Sequence, residues 1–247
     1  GLKRFLRKEY DNLLTVDFIC HGVPSPGVWR EYLKEEIARQ CDGKNIVLSH
    51  PVFNGREARI ESISFRNKCL GWKRFSFVLT LSLSDGYGDN KLVLLSEPLN
   101  KNIFLRGFLA NLYLRPSCHI CPAKSLKSGS DITIGDFWGI QNVMPEIDDD
   151  KGVSAVMVST EKGKEIWGEI TTINYEVAFD DVVAANSALI HSVNLNRYRN
   201  MFYGSRMNTI EMRVASLTSI CFYQRCQRLL SAILLRLGLL DRLKGKL

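Results

Sequence analysis

The chain has few cysteines, no apolar run long enough to cross a bilayer and no low-complexity stretch, and each shortage excludes a class of protein. Seven cysteines at irregular spacings among 247 residues do not make a secreted disulfide scaffold, and their odd number would leave one unpaired. The longest uncharged runs of the leucine-rich C-terminal tail fall well short of a membrane span. The first residues lack the features of a signal peptide. We therefore expect a cytoplasmic protein in a reducing compartment.

Basic residues outnumber acidic ones by 33 to 26, which gives a net charge of +7. Such a charge is compatible with nucleic-acid binding. Acidic residues nevertheless interleave with the basic ones along most of the chain, and the twelve phenylalanines are placed like core residues. We expect no nucleic-acid partner, and we attribute the charge to anionic cofactors or to an acidic membrane surface.

The first half of the chain predicts a strand and helix followed by an antiparallel meander. The apolar run 13–20 predicts a buried strand, and Ser25 and Pro26 are typical of the start of a helix, here over residues 28–39. The turn-rich loop between them would lie at the carboxyl end of the strand, where open α/β sheets bind ligands. Further strands are predicted over the ranges 46–53, 58–66, 74–84 and 91–96.

The second half returns to alternating strands and helices. A helix is predicted over residues 102–113, strands over 131–139, 153–159 and 175–179, and a helix over 161–170. The predicted fold class is therefore mixed α/β, or α+β, with strand–helix units, an antiparallel insertion and a helical C-terminal tail. We divide the chain into a main domain, residues 1–205, and the tail, residues 206–247.

Both ends of the chain carry amphipathic helical patterns. Residues 2–10 predict a helix without an N-cap residue, so we interpret the chain as a fragment of a longer protein. The tail is leucine-rich and basic from about Thr209. It is compatible with a peripheral anchor on the inner membrane face, and it is also typical of helices that pack on the body or on another protein chain. We favour packing.

A Cys-X-X-Cys pair, Cys118 and Cys121, offers two thiols one helical turn apart, and Cys20 is the last residue of a predicted strand. Such thiols bind zinc or an iron–sulfur cluster, and the spacing alone does not decide between them. A catalytic dithiol and two unrelated loop thiols remain alternatives. A fourth ligand is needed, from Cys69, from a residue upstream of Gly1 or, less favourably, from His21 or His119. The three other cysteines are interpreted as structural: Cys41, Cys221 and Cys226.

Asp136, between Gly135 and Phe137, is the most unusual carboxylate, since an unpaired buried charge is costly. It is compatible with a hydrogen bond to a ribose or flavin ring, or with an ion pair to Arg115 or Lys124. Trp138 and Phe137 offer an aromatic wall or simple core packing. Arg66 and Lys68, at a predicted strand end, are compatible with phosphate contacts or with a solvated pair.

These stretches resemble a family of beta subunits from deazaflavin-reducing hydrogenases and dehydrogenases. The resemblance is to the C-terminal domain of the coenzyme F-420 hydrogenase/dehydrogenase beta subunit. The matching segments extend over most of the chain to about Phe202: residues 17–25, 65–68, 71–72, 114–121, 130–139, 152–154 and Asn186. Together they are specific, although each alone is weak.

The resemblance implies a flavoprotein that binds FAD and a [4Fe-4S] cluster and passes electrons to a redox partner, either a deazaflavin or a ferredoxin-type domain or protein. It implies cluster ligands at Cys20, Cys118 and Cys121, and flavin contacts at Asp136, Trp138, Gly135 and Lys68. The chain looks most like a bacterial branch in which a preceding segment supplies the fourth thiol. No side chain is an obvious acid or nucleophile, as expected where cofactors perform the reaction.

Two other functions remain open from the sequence. One is a zinc-stapled interaction module without catalysis, and the other is an accessory protein of polysaccharide biosynthesis that has lost its redox role. The sequence identifies neither the substrate nor the oligomeric state.

Overall fold

The structure is a computed structural model that describes residues 5–8, 10–40, 52–53, 56–84 and 90–218. The first half contains β1 (Val16–Phe18), α1 (Pro26–Gln40), β2 (Val52–Phe53), β3 (Arg56–Asn67), β4 (Ser76–Ser84), β5 (Asn90–Pro98) and α2 (Ile103–Leu109). The second half contains β6 (Ile132–Asp136), α3 (Ile140–Val143), β7 (Ser154–Val158), α4 (Glu161–Glu169), α5 (Phe179–Ala185), α6 (Arg199–Gly204) and α7 (Ile210–Thr218). The predicted mixed α/β class is confirmed.

The small sheet has the order β1-β6-β7, with β1 parallel to β6 and β6 antiparallel to β7. The buried carboxylate of Asp131 stabilises this sheet. The carboxylate accepts hydrogen bonds from the Thr15 amide (2.8 Å) and from the hydroxyls of Thr15 and Thr160 (2.5 and 2.8 Å). Thr160 in turn caps α4 by accepting from the Gly163 amide. One aspartate therefore fixes the relative positions of β1, β6 and α4.

The predicted meander is confirmed as an antiparallel sheet of order β2-β3-β4-β5. Strand β4 alternates as a half-buried strand should, with Phe77, Leu79 and Leu81 fully buried. These side chains pack with Tyr32 of α1 and Phe104 of α2 in the larger of two core clusters. The meander thus forms the floor on which α1 and α2 lie.

Helix α1 starts at Pro26, as its sequence predicts, because the Ser25 carbonyl accepts the first hydrogen bond from the Trp29 amide, 3.1 Å away. Helix α2 is capped by the buried Asn102, whose side chain accepts from the Leu105 amide. It ends earlier than predicted, at Leu109, because Asn111 adopts a left-handed conformation with φ of 58°.

The predicted strand over residues 175–179 is wrong. Residues 171–178 form no helix or strand, and Phe179 instead begins α5. Asp180 and Asp181 stand in the first turn of this helix, where carboxylates interact favourably with the helix dipole. That local electrostatic preference outweighs the short apolar alternation on which the strand prediction was based.

The described part of the tail packs on the body. In α7, Ile210 and Val214 are fully buried in the larger core, and the amide of Ile210 donates to both carboxylate oxygens of Glu35 on α1. Arg213 pairs with Glu31, also on α1. Among the described residues, no helix is both long and apolar enough to cross a membrane.

Some predictions fall outside the described residues. These are part of the opening helix, the strand over 46–53 except Val52–Phe53, Cys41, and the tail beyond Thr218 with Cys221 and Cys226.

Candidate functional site

The loop after β1 and the Cys-X-X-Cys segment lie side by side. The Ser25 amide donates to the Tyr113 carbonyl, and the Arg115 amide donates to the Val23 carbonyl, both at 2.8 Å. A short 3₁₀ turn, Pro116–Ile120, then carries Cys118, with Cys121 as its C-terminal cap. Backbone pairing therefore brings two segments about a hundred residues apart in sequence to one edge of the small sheet.

The three candidate thiols share this edge. The Val23 amide donates to the sulfur of Cys118 at 3.2 Å, and Cys20 and Cys121 line one small cavity of about 60 Å³. Burial raises the pKa of the Cys20 thiol, as do the charges of Cys118 and Cys121, while the Lys124 cation and the Gly22 amide oppose the rise. Cys20 and Cys121 are therefore neighbours in space, and Cys118 stands three residues before Cys121. For brevity we call Cys20, Cys118 and Cys121 the thiol group.

Within the described ranges, no three His, Cys, Asp or Glu side chains are arranged to hold a metal ion. Cys69 is exposed in the turn after β3, where its amide donates to Asn67. His119 contacts the Val193 carbonyl through Nδ1 at 3.0 Å. Neither residue has a described contact with the thiol group.

His21 lies next to Cys20 but turns towards α2. Its ring packs edge-on against Phe108 with centroids 5.0 Å apart, and its Nε2 has no hydrogen-bond partner among the described residues. Burial lowers the pKa of this imidazole, so the neutral form is favoured.

Asp136 ends β6 and forms an ion pair with Arg66 of β3, and the predicted partners Arg115 and Lys124 are wrong. The Arg66 guanidinium also lies 5.2 Å from the ring centroid of Phe75 and 5.6 Å from that of Trp138. Trp138 packs on Trp72 with centroids 4.1 Å apart. Asp136 thus holds a cationic side chain that connects the end of the small sheet to the meander.

The other predicted contacts have structural partners. Lys68 donates to the Lys151 carbonyl at 2.9 Å. Gly135 makes room for Ile19, since a Cβ there would lie 2.7 Å from that side chain. Phe137 is 2% exposed in the smaller core cluster and so forms no open aromatic wall.

An aromatic cleft of about 450 Å³ opens between α1, α2 and the meander, and sequence reasoning missed it. Its walls include Trp29, Phe65, Phe75, Phe104 and Phe108, together with the side chains of two arginines, Arg66 and Arg115. Its size and its apolar lining with few polar groups are typical of a cofactor pocket. No pattern in the sequence pointed to it, because the same aromatics at helical and strand spacing also describe a closed core.

The cleft and the thiol group share one wall. Val23 lines the cleft, and its backbone amide donates to the sulfur of Cys118. Arg115, which also lines the cleft, stands three residues before Cys118 and accepts the amide of that cysteine on its carbonyl at 2.9 Å. The cleft and the thiol group are therefore adjacent at Val23.

Comparison with known protein families identifies the family of this chain. The family model that describes the C terminus of the beta subunit of coenzyme F420 hydrogenase/dehydrogenase matches residues 1–180. No curated protein and no solved structure matches the chain. The matched range includes the thiol group, Arg66, Asp136 and the whole aromatic cleft. The chain therefore belongs to this family, that of the C-terminal domain of the coenzyme F-420 hydrogenase/dehydrogenase beta subunit.

Proposed function

We propose that this chain is an oxidoreductase domain that binds a flavin in the aromatic cleft and a [4Fe-4S] cluster at the thiol group. The family is one of redox enzyme subunits, and a beta subunit belongs to a complex of several chains. Bound flavin would exchange electrons with the cluster, and the protein would supply binding, orientation and electrostatics.

The thiol group fits the cluster by the chemistry of its donors. Cys20 and Cys121 line one cavity, Cys118 stands three residues before Cys121, and the Val23 amide already donates to the Cys118 sulfur, as amides do around cluster thiolates. A cluster takes four ligands, so a fourth would come from outside the described residues or from a ferredoxin-type segment or partner.

A zinc ion is the alternative occupant of the thiol group, because zinc also binds cysteine thiolates. A structural zinc would staple the loop after β1 to the Cys-X-X-Cys turn and would supply no electrons. The family favours the cluster, since its members are subunits of enzymes that transfer electrons. Metal content and colour separate the two occupants directly.

The cleft fits a flavin ring by its shape and lining. Aromatic side chains offer stacking surfaces for the flat ring system, and the two guanidinium groups at its edge suit anionic oxygens. Asp136 would orient Arg66 for this contact, and Trp138 would support it from behind. Lys68 and Gly135 would act less directly, through the 68–73 loop and the packing of Ile19.

The observation that carries the proposal is the shared wall at Val23. Electron exchange needs two redox groups close together in a rigid frame. Val23 brings the two proposed binding sites next to each other, because it lines the cleft and its backbone amide donates to the Cys118 sulfur. The electron partner outside the chain is a deazaflavin or a ferredoxin-type protein, and the organic substrate is left open.

The test is anaerobic purification of the full chain, reconstitution with ferrous iron, sulfide and FAD, and quantification of iron, zinc and flavin. We expect a brown protein whose broad absorbance bleaches on reduction with dithionite. Cys118→Ala should lose the colour, whereas Cys69→Ala, at an exposed cysteine outside the thiol group, should keep it. A colourless protein with one zinc per chain would overturn the cluster and favour the zinc-stapled module.

A further inference from the structure

Lys124 is a half-buried lysine whose ammonium group lies beside the thiol group. Its Nζ donates to the carbonyl of Cys20 at 2.6 Å and to the carbonyl of Ala188 at 2.5 Å. Its side chain lines the same small cavity as Cys20 and Cys121. The position of its charge is therefore fixed by two backbone acceptors on different segments.

No carboxylate forms an ion pair with this ammonium among the described residues. Asp17 lines the same cavity, where its carboxylate accepts the amide of Phe18 at 2.8 Å and forms no ion pair with Lys124 among the described contacts. Uncharged carbonyls orient Lys124 without neutralising it. Burial reduces screening by solvent, so the charge acts strongly on its neighbours.

We propose that Lys124 is an electrostatic positioning residue that raises the reduction potential of the cluster bound at Cys20, Cys118 and Cys121. The proposal rests on the proposed function. Reduction adds one negative charge to a cluster whose four thiolates already make it anionic. A fixed positive charge nearby stabilises the more negative form and so favours reduction.

The same geometry allows a purely mechanical role, because the two hydrogen bonds of Lys124 join the loop after β1 to the turn near Ala188. The two roles depend on different properties. A mechanical role requires a side chain long enough to donate both hydrogen bonds. The electrostatic role requires the positive charge. Variants that keep one property and lose the other separate them.

The experiment is a potentiometric titration of the reconstituted full chain, followed by the absorbance and the electron paramagnetic resonance signal of the reduced cluster. Lys124→Met removes the charge, Lys124→Arg keeps it with a different shape, and Lys101→Gln removes an exposed charge elsewhere. A unit charge roughly 10 Å away changes a one-electron equilibrium about tenfold at the effective dielectric of a protein. We therefore expect Lys124→Met to lower the potential by about 59 mV, the equivalent of tenfold for one electron.

The controls are Lys124→Arg and Lys101→Gln. Their one-electron equilibrium constants should differ from that of the wild type by less than about twofold. Equal potentials in the wild type and Lys124→Met would overturn the proposal, as would a shift in Lys124→Arg as large as that in Lys124→Met. If Lys124→Met holds no iron, Lys124→Gln takes its place, and loss of iron from both would assign Lys124 to assembly and reject a role in potential. A wild type that binds no iron would reject the proposed function itself, and a cluster with an unshifted potential would reject only this inference.

Discussion

The thiol group and the aromatic cleft are neighbours built by different forces. Backbone hydrogen bonds hold the thiol group, since Val23, Ser25, Tyr113 and Arg115 exchange amide and carbonyl contacts between two loops. Side-chain packing holds the cleft, whose aromatics rest on the buried face of the meander. The thiol group therefore depends on where two loops are anchored, and the cleft depends on the volume of the core beneath it. Variants that damage one and spare the other sharpen this difference.

The largest effect is expected for Phe77→Ala, which empties the floor of the cleft. Phe77 is fully buried, with ring centroids 5.6 Å from Phe65 and 6.4 Å from Trp29, both of which line the cleft. Truncating a buried phenylalanine costs about 3–5 kcal/mol. Urea unfolding should show that loss, and the folded variant should bind flavin weakly.

Leu94→Ala, at an exposed position on the neighbouring strand β5, should change the free energy of unfolding by less than about 1 kcal/mol. Similar losses in both would show that the floor of the cleft is not tightly packed.

A smaller loss is expected for Asp131→Ala, which loosens the frame of the thiol group. The change leaves the amide of Thr15 and the hydroxyls of Thr15 and Thr160 without this acceptor. An unsatisfied buried donor costs about 1–3 kcal/mol. The free energy of unfolding should fall by that order, and iron content should fall more than flavin content. Glu165→Ala, at an exposed carboxylate on α4, is the matched control. Flavin loss that exceeds iron loss would contradict the separation of the two sites.

The third effect concerns binding more than folding. Arg66→Gln removes a guanidinium from the edge of the cleft, and about a tenfold loss of FAD affinity is expected for one charged contact. Stability should change by less than about 1 kcal/mol, because the Arg66–Asp136 pair is exposed to solvent. Arg59→Gln is the matched control, since Arg59 lies on the same strand with an exposed partner, Glu61. Isothermal titration calorimetry with FAD would reject the flavin contact if both variants bound equally well.

The smallest effect is a pH dependence at Glu35, on the side of α1 that contacts α7. Burial raises the pKa of this carboxyl, with a further rise from Glu31, while the amides of Ile210 and Glu211 and the charge of Arg213 oppose it. A carboxyl with a raised pKa in the folded state stabilises the fold fully below its ordinary pKa, and that contribution is lost as pH rises through the folded value. Relative to Glu35→Gln, the wild type should therefore lose stability as pH rises above the ordinary pKa of glutamate, about 4. If the urea midpoints of the wild type and of Glu35→Gln change by the same amount as pH rises, the raised pKa of Glu35 is contradicted.

The sequence was most informative where local rules suffice. Ser25 and Pro26 set the start of α1, the short strands with turns between them predicted the antiparallel meander, and the thiol spacing singled out a metal or cluster site. It failed at residues 175–179, where a short apolar pattern is equally compatible with a helix start. The ion-pair partners it offered for Asp136 as one of two alternatives, Arg115 and Lys124, were wrong, because Arg66 lies 70 residues away and only the packing of the two sheets brings it close.

By itself the sequence determined the mixed α/β class, the thiols that could carry chemistry and the family resemblance, since these depend on residue types at short spacing. Only the tertiary structure decided that Cys20 meets the Cys-X-X-Cys turn, that Trp29, Phe65 and Phe108 border an open cleft, and that Lys124 holds its charge beside the thiols. These are contacts between segments far apart along the chain. Such contacts follow from how the sheets and helices pack, which no local pattern specifies.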